Sequence, residues 1–282
     1  MNQILVGAPD VDLDAYCARI EYDGPRAPTL AVLRELHRRH PAAIPFEGIE
    51  VLLGRDVPLD TASLQAKLII GGRGGYCFEQ NLLLRDVLTA MGFEVAALIA
   101  RSRWGRPLSA VRARSHVALR VRLEGEDWLA DVASRAMMTA PIRMAERGAQ
   151  ATDFEPLRLT PVDGELRLEM PMGGDWAPIY DCVLAPQHDA DIVAANWFTA
   201  THPSSPFRQR LFVWKSAGGV RRILIDNLLE TCWPGREPRR ARLDVDALEA
   251  CLAEDFGLRP EPAWRPMIER AVAAGDAQER RD

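Results

Sequence analysis

A chain of 282 residues, 48% of them hydrophobic and 27% charged, has ample material for a buried core, as one large domain or two to three smaller ones. Its formal net charge of −5 gives no general electrostatic reason to bind nucleic acid or an anionic membrane. The five cysteines (Cys17, Cys77, Cys182, Cys232, Cys251) are odd in number and scattered, which argues against a disulfide framework or a zinc site and for a reducing cytoplasm.

The stretch Met1–Asp10 lacks a basic segment followed by a long apolar core, and no apolar run approaches a membrane span. Secretion and membrane insertion are therefore not expected. The first third reads as helical. Asp12 is placed to cap a helix carrying Leu13, Tyr16, Cys17 and Ile20, and Thr29 another with Leu30, Leu33 and Leu36 on one face, ending at His40 before Pro41. His37 and His40 fall at the end of that helix among arginines, where an interaction with the helix dipole accounts for them better than metal binding does. Asp60 or Thr61 opens a third helix through Leu64, Leu68 and Ile69, closed by Gly71-Gly72. The fourth carries Phe78, Leu82, Leu83, Leu84, Val87, Leu88 and Met91 at helical spacing and stops at Gly92.

From Phe93 the pattern changes to strands. Val95–Ile99, Val117–Leu123 and Trp128–Val132 are three of them, the last two joined by a turn at Gly125. Residues 157–160 and 166–168 flank Asp163-Gly164, a strong hairpin signal, and 179–184 forms another strand, whereas 106–114 reads as a loop. A twisted antiparallel sheet or barrel arranges these economically. Beyond the Pro/Ser-rich segment 201–207, strands at 211–214 and 222–225 meet at Gly218-Gly219. Residues 234–242 read as a polar loop, and 245–256 as a helix with Asp246 as its cap. The charged, alanine-rich tail forms a short helix and then frays. Three parts result: a helical bundle over 1–92, strands over 93–208, and an α/β segment over 209–282.

The chemistry concentrates around Arg73-Gly74-Gly75-Tyr76-Cys77. Cys77 lies at the start of the fourth helix, where unpaired backbone N–H groups and the positive dipole end favour a thiolate, and Arg73 adds positive charge nearby. Glu79, Gln80 and Asn81 occupy the first turn, where capping explains them as well as catalysis does. His116 begins one strand of the Gly125 hairpin and Asp131 ends the other, so the two can meet. Cysteine, histidine and aspartate then supply a nucleophile, a base and an orienter, and the Cys77 N–H a candidate oxyanion donor.

On these residues the chain resembles the arylamine N-acetyltransferases, whose signature is Arg-Gly-Gly-aromatic-Cys followed by His and Asp at this separation. The resemblance extends over Tyr22-Asp23-Gly24-Pro25, Ile44-Pro45-Phe46-Glu47, Val51-Leu52-Leu53, Asn196-Trp197-Phe198-Thr199 and Thr201–Phe207. It implies an α+β fold: a helical bundle, a central antiparallel β-barrel and a C-terminal α/β lid, the first two carrying the triad. It also implies acetyl-CoA as acyl donor, no metal, ping-pong transfer through Cys77 to a small aromatic amine or hydrazine, and Phe46 in the acceptor pocket. Plain core packing is the alternative for Phe46. Arg101 and Arg103, before Trp104, meet CoA phosphates or simply end an exposed strand. His202, Ser204 and Ser205 belong to the site or form only a turn. Monomer and homo-oligomer both remain open.

The family pattern breaks after Asp131. Where relatives continue Val-Gly-Phe-Gly, this chain reads Val132-Ala133-Ser134-Arg135-Ala136, and Gly48 replaces the Asn common after Phe-Glu. A phenyl wall is worth about 1–3 kcal/mol to a flat apolar ring, so its loss weakens simple arylamine binding, while a guanidinium favours a carboxylate or phosphate. The acceptor is then a non-standard, anionic amine, or the reaction is an intramolecular amide synthesis; alternatively Arg135 points to solvent and the activity is ordinary. Two other classes compete: a cysteine hydrolase of the papain or transglutaminase type, and a non-catalytic scaffold.

Overall fold

Side-chain caps start the N-terminal helices where the spacing predicts. In the computed structural model, which describes residues 10–280, Asp12 accepts from the Ala15 N–H and opens α1 (Leu13–Arg19), and Thr29 accepts from the Val32 N–H and opens α2 (Leu30–Ala43). The expectations for Met1–Pro9, and for fraying of the last two residues, lie outside that range. Helix α2 does not stop before Pro41. The ring removes a single N–H in the last turn, and the buried Leu33, Leu36, His37 and His40 hold the helix in place. Two short elements follow, β1 (Phe46–Glu47) and α3 (Ile49–Leu53). Helix α4 (Thr61–Leu64), capped by Asp60, passes into π-helical turns over Gln65–Ile70. Helix α5 (Cys77–Ala90) then ends before Gly92, whose φ of +86° suits glycine.

The middle of the chain forms seven strands: β2 (Glu94–Ser102), β3 (His116–Leu123), β4 (Glu126–Ala130), β5 (Ile142–Arg143), β6 (Arg158–Val162), β7 (Glu165–Met172) and β8 (Asp175–Val183). They make one antiparallel sheet in the order β5-β4-β3-β2-β8-β7-β6. Both residues of Glu124-Gly125 and of Asp163-Gly164 have positive φ, the backbone a two-residue hairpin with right-handed twist requires. Alternation gives the sheet two apolar faces. Leu98, Ala118, Leu129, Ile142, Leu159, Leu168 and Cys182, drawn from all seven strands, converge in one cluster, so the sheet curls into an open half-barrel. Val117, Leu119, Val121 and Ala130 face the other way and pack with Phe78, Leu82 and Val87 of α5 in the main core.

Helix α6 (Asp189–Thr201) leads to a second antiparallel sheet built from β9 (Phe212–Ala217), β10 (Val220–Ile225), β11 (Leu228–Cys232) and β12 (Arg239–Arg242). Its order is β1-β9-β10-β11-β12, so the two residues of β1 cross over to pair with β9. Strand β12 occupies part of the stretch expected as a loop. Helix α7 (Val245–Glu254) is capped by Asp244, not Asp246, because Asp244 has the extended backbone that lets its carboxylate reach the Ala247 N–H. With α8 (Arg265–Glu279) it covers Val213 and Leu224 through Leu248, Leu252, Phe256, Trp264 and Ile268. No helix among the described residues is long and apolar enough to cross a membrane.

Candidate active site

The glycines before the cysteine answer a steric demand. A Cβ on Gly74 would lie 2.2 Å from the Pro45 carbonyl oxygen, and one on Gly75 would lie 2.8 Å from a Glu79 carboxylate oxygen. Without them the backbone runs beside β1, with the Gly75 N–H bonded to the Pro45 carbonyl and the Glu47 N–H to that of Gly75. Phe46 and Cys77 are thereby brought to one place. Cys77 is the first residue of α5, so its N–H has no acceptor within the helix. Glu79 caps the helix by accepting from the Tyr76 N–H at 3.0 Å and is held by Lys67 at 2.6 Å. Gln80 secures the turn through the Pro45 and Gly75 carbonyls. Arg73 points away from the thiol, into Glu47 and Glu50 and over the Trp264 ring, so the positive charge expected near Cys77 does not come from it.

His116 opens β3 and Asp131 follows β4 directly. His116 Nε2 lies 2.7 Å from Asp131 Oδ2, and both are buried. Cys77 lies close enough to act on the ring electrostatically, and its thiol faces the Ser115 carbonyl at 3.7 Å. Burial works against a charged imidazole, but the Asp131 carboxylate and Cys77 outweigh it and hold His116 up at about 10. For Asp131 burial likewise opposes the charge. The His116 cation and hydrogen bonds from His116, Asn81 and the Ala133 N–H keep it below the usual carboxylate range. The three side chains predicted from the sequence are thus together, at the seam between α5 and the half-barrel.

Two residues that hold Asp131 were not assigned from the sequence. The Asn81 amide donates to Asp131 Oδ1 (2.9 Å) and to the Val117 carbonyl (2.7 Å), and its oxygen accepts from the Val132 N–H (3.1 Å). Asn81 stands four residues after Cys77, and that helical spacing is the signal that would have put it on the same face as Cys77. His37 accepts from the Asp131 N–H at 3.0 Å, and His40 meets the Tyr16 hydroxyl at 2.9 Å. The dipole explanation for these histidines is therefore wrong. Both are fully buried, and burial first of all pushes them down to about 4 and about 3, leaving neutral rings.

A cavity of about 720 Å³ opens onto Cys77 and His116. Phe46 lines it, stacked on Trp214 with ring centroids 3.5 Å apart, and Phe207, Phe212 and Tyr180 add aromatic surface. The Tyr180 ring also lies 4.9 Å from that of His116. Arg135 faces this cavity, with its guanidinium carbon 4.9 Å from the centroid of Trp104. Ser134, expected on the wall, is buried behind it at 1% exposure and does not line the cavity, because the turn after Asp131 presents Ala133 and Arg135 instead. Arg101 and Arg103 do not line it either. Arg103 is bound to Asp181 at 2.6 Å and to the Leu108 and Ala110 carbonyls, which fixes the following loop. The arginines on the cavity from that region are Arg106 and Arg112. His202 and Ser204 bond each other in a local turn, and Ser204 and Ser205 reach the lining. Among the described residues, no group of three or more His, Cys, Asp or Glu side chains is placed to hold a metal ion.

Comparison with known proteins agrees with this geometry. A family model described as N-acetyltransferase matches residues 29–264. The arylamine N-acetyltransferase of Escherichia coli K12 is 36% identical over 254 residues, 89% of this chain and 90% of that protein. The arylamine N-acetyltransferase / N-hydroxyarylamine O-acetyltransferase of Salmonella typhimurium is 33% identical over 265 residues, covering 93% and 94%. The solved arylamine N-acetyltransferase of Mycobacterium marinum superimposes with a TM-score of 0.87 at 33% identity over 93% of this chain and 98% of that one, and its structure in complex with CoA does so at 0.86. By sequence and by fold, the chain belongs to the arylamine N-acetyltransferase family.

Proposed function

We propose that the protein moves an acetyl group from acetyl-CoA through a thioester on Cys77 to the nitrogen of an aromatic amine or hydrazine. One observation carries this: Cys77 and His116 line an aromatic cavity, with Asp131 bonded to His116 behind them. His116, held at about 10, keeps its proton at neutral pH, and the proposed nucleophile is a Cys77 thiolate paired with that imidazolium. The thiolate attacks the thioester carbonyl, whose developing oxyanion meets the Cys77 N–H. The C–S bond to CoA then breaks, and the leaving sulfur takes the proton from His116. Acetylation removes the negative charge of Cys77, one of the two charges that hold His116 protonated, so the imidazole becomes the base for the second half-reaction. It takes the proton of the attacking amine as the thiolate leaves, and the starting pair is restored. Two half-reactions at one site give ping-pong kinetics.

In this scheme residues 1–92 supply the nucleophile, 93–208 the base and its orienter, and 209–282 a lid that brings Trp214 against Phe46. Arg106 and Arg112 meet the CoA phosphates in place of Arg101 and Arg103. The cysteines of the described chain are all free, which supports a place in the reducing cytoplasm.

Mass spectrometry of the intact protein after incubation with acetyl-CoA alone tests the reading. A gain of one acetyl group, lost in Cys77→Ala, is expected. No adduct while Cys77 is still readily alkylated at neutral pH would point to another donor or to hydrolysis. An unreactive Cys77 would leave a non-catalytic scaffold.

A further inference from the structure

Strand β4 stops one residue short of the triad. Its pairing with β3 ends at Leu119 and Ala130, so the backbone N–H of Asp131 lies beyond the last paired residue. The Val117 carbonyl, further along β3, is taken by the Asn81 amide. His37 supplies the acceptor from the other side of the core. Its Nε2 takes the Asp131 N–H at 3.0 Å, and both residues are fully buried. A buried N–H without a partner is costly enough that Asp131 would otherwise have to move to find one.

A ring nitrogen that accepts carries no proton. Burial keeps the ring neutral against the pull of the Asp131 charge, so its single proton sits on Nδ1. Neutrality matters at this position. A carboxylate here would set a second negative charge beside Asp131, and an imidazolium would have no lone pair to offer. Helix α2 has a second hold on the site. Two residues beyond its last, the Pro45 carbonyl accepts from the Gly75 N–H at 3.3 Å and from the Gln80 amide at 3.0 Å, in the turn that leads to Cys77. One segment therefore grips the orienter at His37 and the nucleophile's turn at Pro45, and neither residue lines the cavity.

We propose that His37, as the Nδ1–H tautomer, is a positioning residue of the triad: by holding the Asp131 backbone it sets the carboxylate against His116, and through His116 the state of Cys77. It takes no part in bond making. The inference deepens the triad reading above and rests on it.

The nitrogen-15 spectrum of the His37 ring in the native protein reads the tautomer, with a protonated Nδ1 and a bare Nε2 expected at neutral pH. The pH dependence of Cys77 alkylation by iodoacetamide, and kcat/KM for acetyl-CoA, are to be measured in wild type, His37→Leu and His37→Gln, with urea unfolding to show that each variant folds. His37→Leu removes the acceptor. Its alkylation midpoint should rise by about one pH unit or more, and its kcat/KM should fall by about 10–100-fold. His37→Gln, whose amide oxygen can accept the same N–H, should keep the wild-type midpoint and most of the activity, a rescue that loss of packing alone would not give. A proton on Nε2, a folded His37→Leu with the wild-type midpoint and rate, or a His37→Gln as impaired as His37→Leu overturns the proposal. Should His37→Leu fail to fold, the tautomer and the His37→Gln profile still decide. A wild-type Cys77 that titrates as an ordinary thiol would instead defeat the triad reading, and this inference with it.

Discussion

Replacing Asp131 by Asn tests the electrostatic core of the site with little change of shape. The amide oxygen can still accept from Asn81 and from the Ala133 N–H, so the turn has the means to persist. What disappears is the charge 2.7 Å from His116 Nε2. In the native protein His116 stands at about 10 against an ordinary value of 6.5, which corresponds to roughly 5 kcal/mol in favour of the imidazolium at 1.36 kcal/mol per pH unit. The largest single influence on that ring is burial, which opposes the charge, so without the carboxylate His116 should titrate well below its present value. Proton NMR of the His116 ring against pH reads this directly: imidazolium through pH 9 in the native protein, neutral imidazole at pH 7.5 in the variant. Acetylation kcat/KM should fall by roughly 10³–10⁴, as expected when an orienting carboxylate is lost from a triad. The same titration midpoint in both proteins would refute the electrostatic argument, whatever the activity did.

Two further outcomes follow from the geometry. Gly74→Ala places a methyl 2.2 Å from the Pro45 carbonyl oxygen and 2.8 Å from Glu47 Cγ, so β1 must separate from the Gly74-Gly75 segment. A loss of about 3 kcal/mol or more in urea unfolding, with reduced acylation of Cys77, is expected, and a native unfolding midpoint would contradict it. The buried histidines make the fold sensitive to acid. His37 and His40 titrate at about 4 and about 3 when folded but near 6.5 when unfolded, so below 6.5 the unfolded chain binds more protons and stability declines as pH falls. The loss amounts to about 3 kcal/mol for each ring by pH 4. Urea midpoints at pH 7 and pH 4 should therefore differ less in His37→Gln than in wild type, and equal differences would show that His37 is not buried as a neutral ring.

The sequence showed most where local chemistry decides. Asp12, Thr29 and Asp60 cap helices because their side chains bond a backbone three residues on. The turns at Gly125, Asp163-Gly164 and Gly218-Gly219 need positive φ and carry residues that tolerate it. Legibility failed where partners are distant in the chain. His37 and Asp131 are 94 residues apart, and no periodicity in α2 announces that one accepts from the other. Strand β12 reads Arg239-Arg240-Ala241-Arg242, which no apolar alternation reveals, because backbone bonds to β11 alone make it a strand. Helix α6 was hidden differently. Its exposed face carries Val193 and Trp197 while Asn196 and Thr199 are buried, which inverts the usual pattern. Arg135 was legible as a departure from the family pattern, but its seat on Trp104 depended on a loop no local rule describes.

The crossing of β1 into the last third of the chain has a consequence for the order of events at the ribosome. Phe46 finds its stacking partner only when Trp214 has emerged, and Phe207 and Phe212 arrive at nearly the same moment. Cys77, His116 and Asp131 are all synthesised well before then. At usual elongation rates the interval between Cys77 and Trp214 lasts on the order of ten seconds. Cys77, His116 and Asp131 are therefore made while the cavity still lacks Phe207, Phe212 and Trp214, and synthesis must run well into its last third before those rings can close the wall.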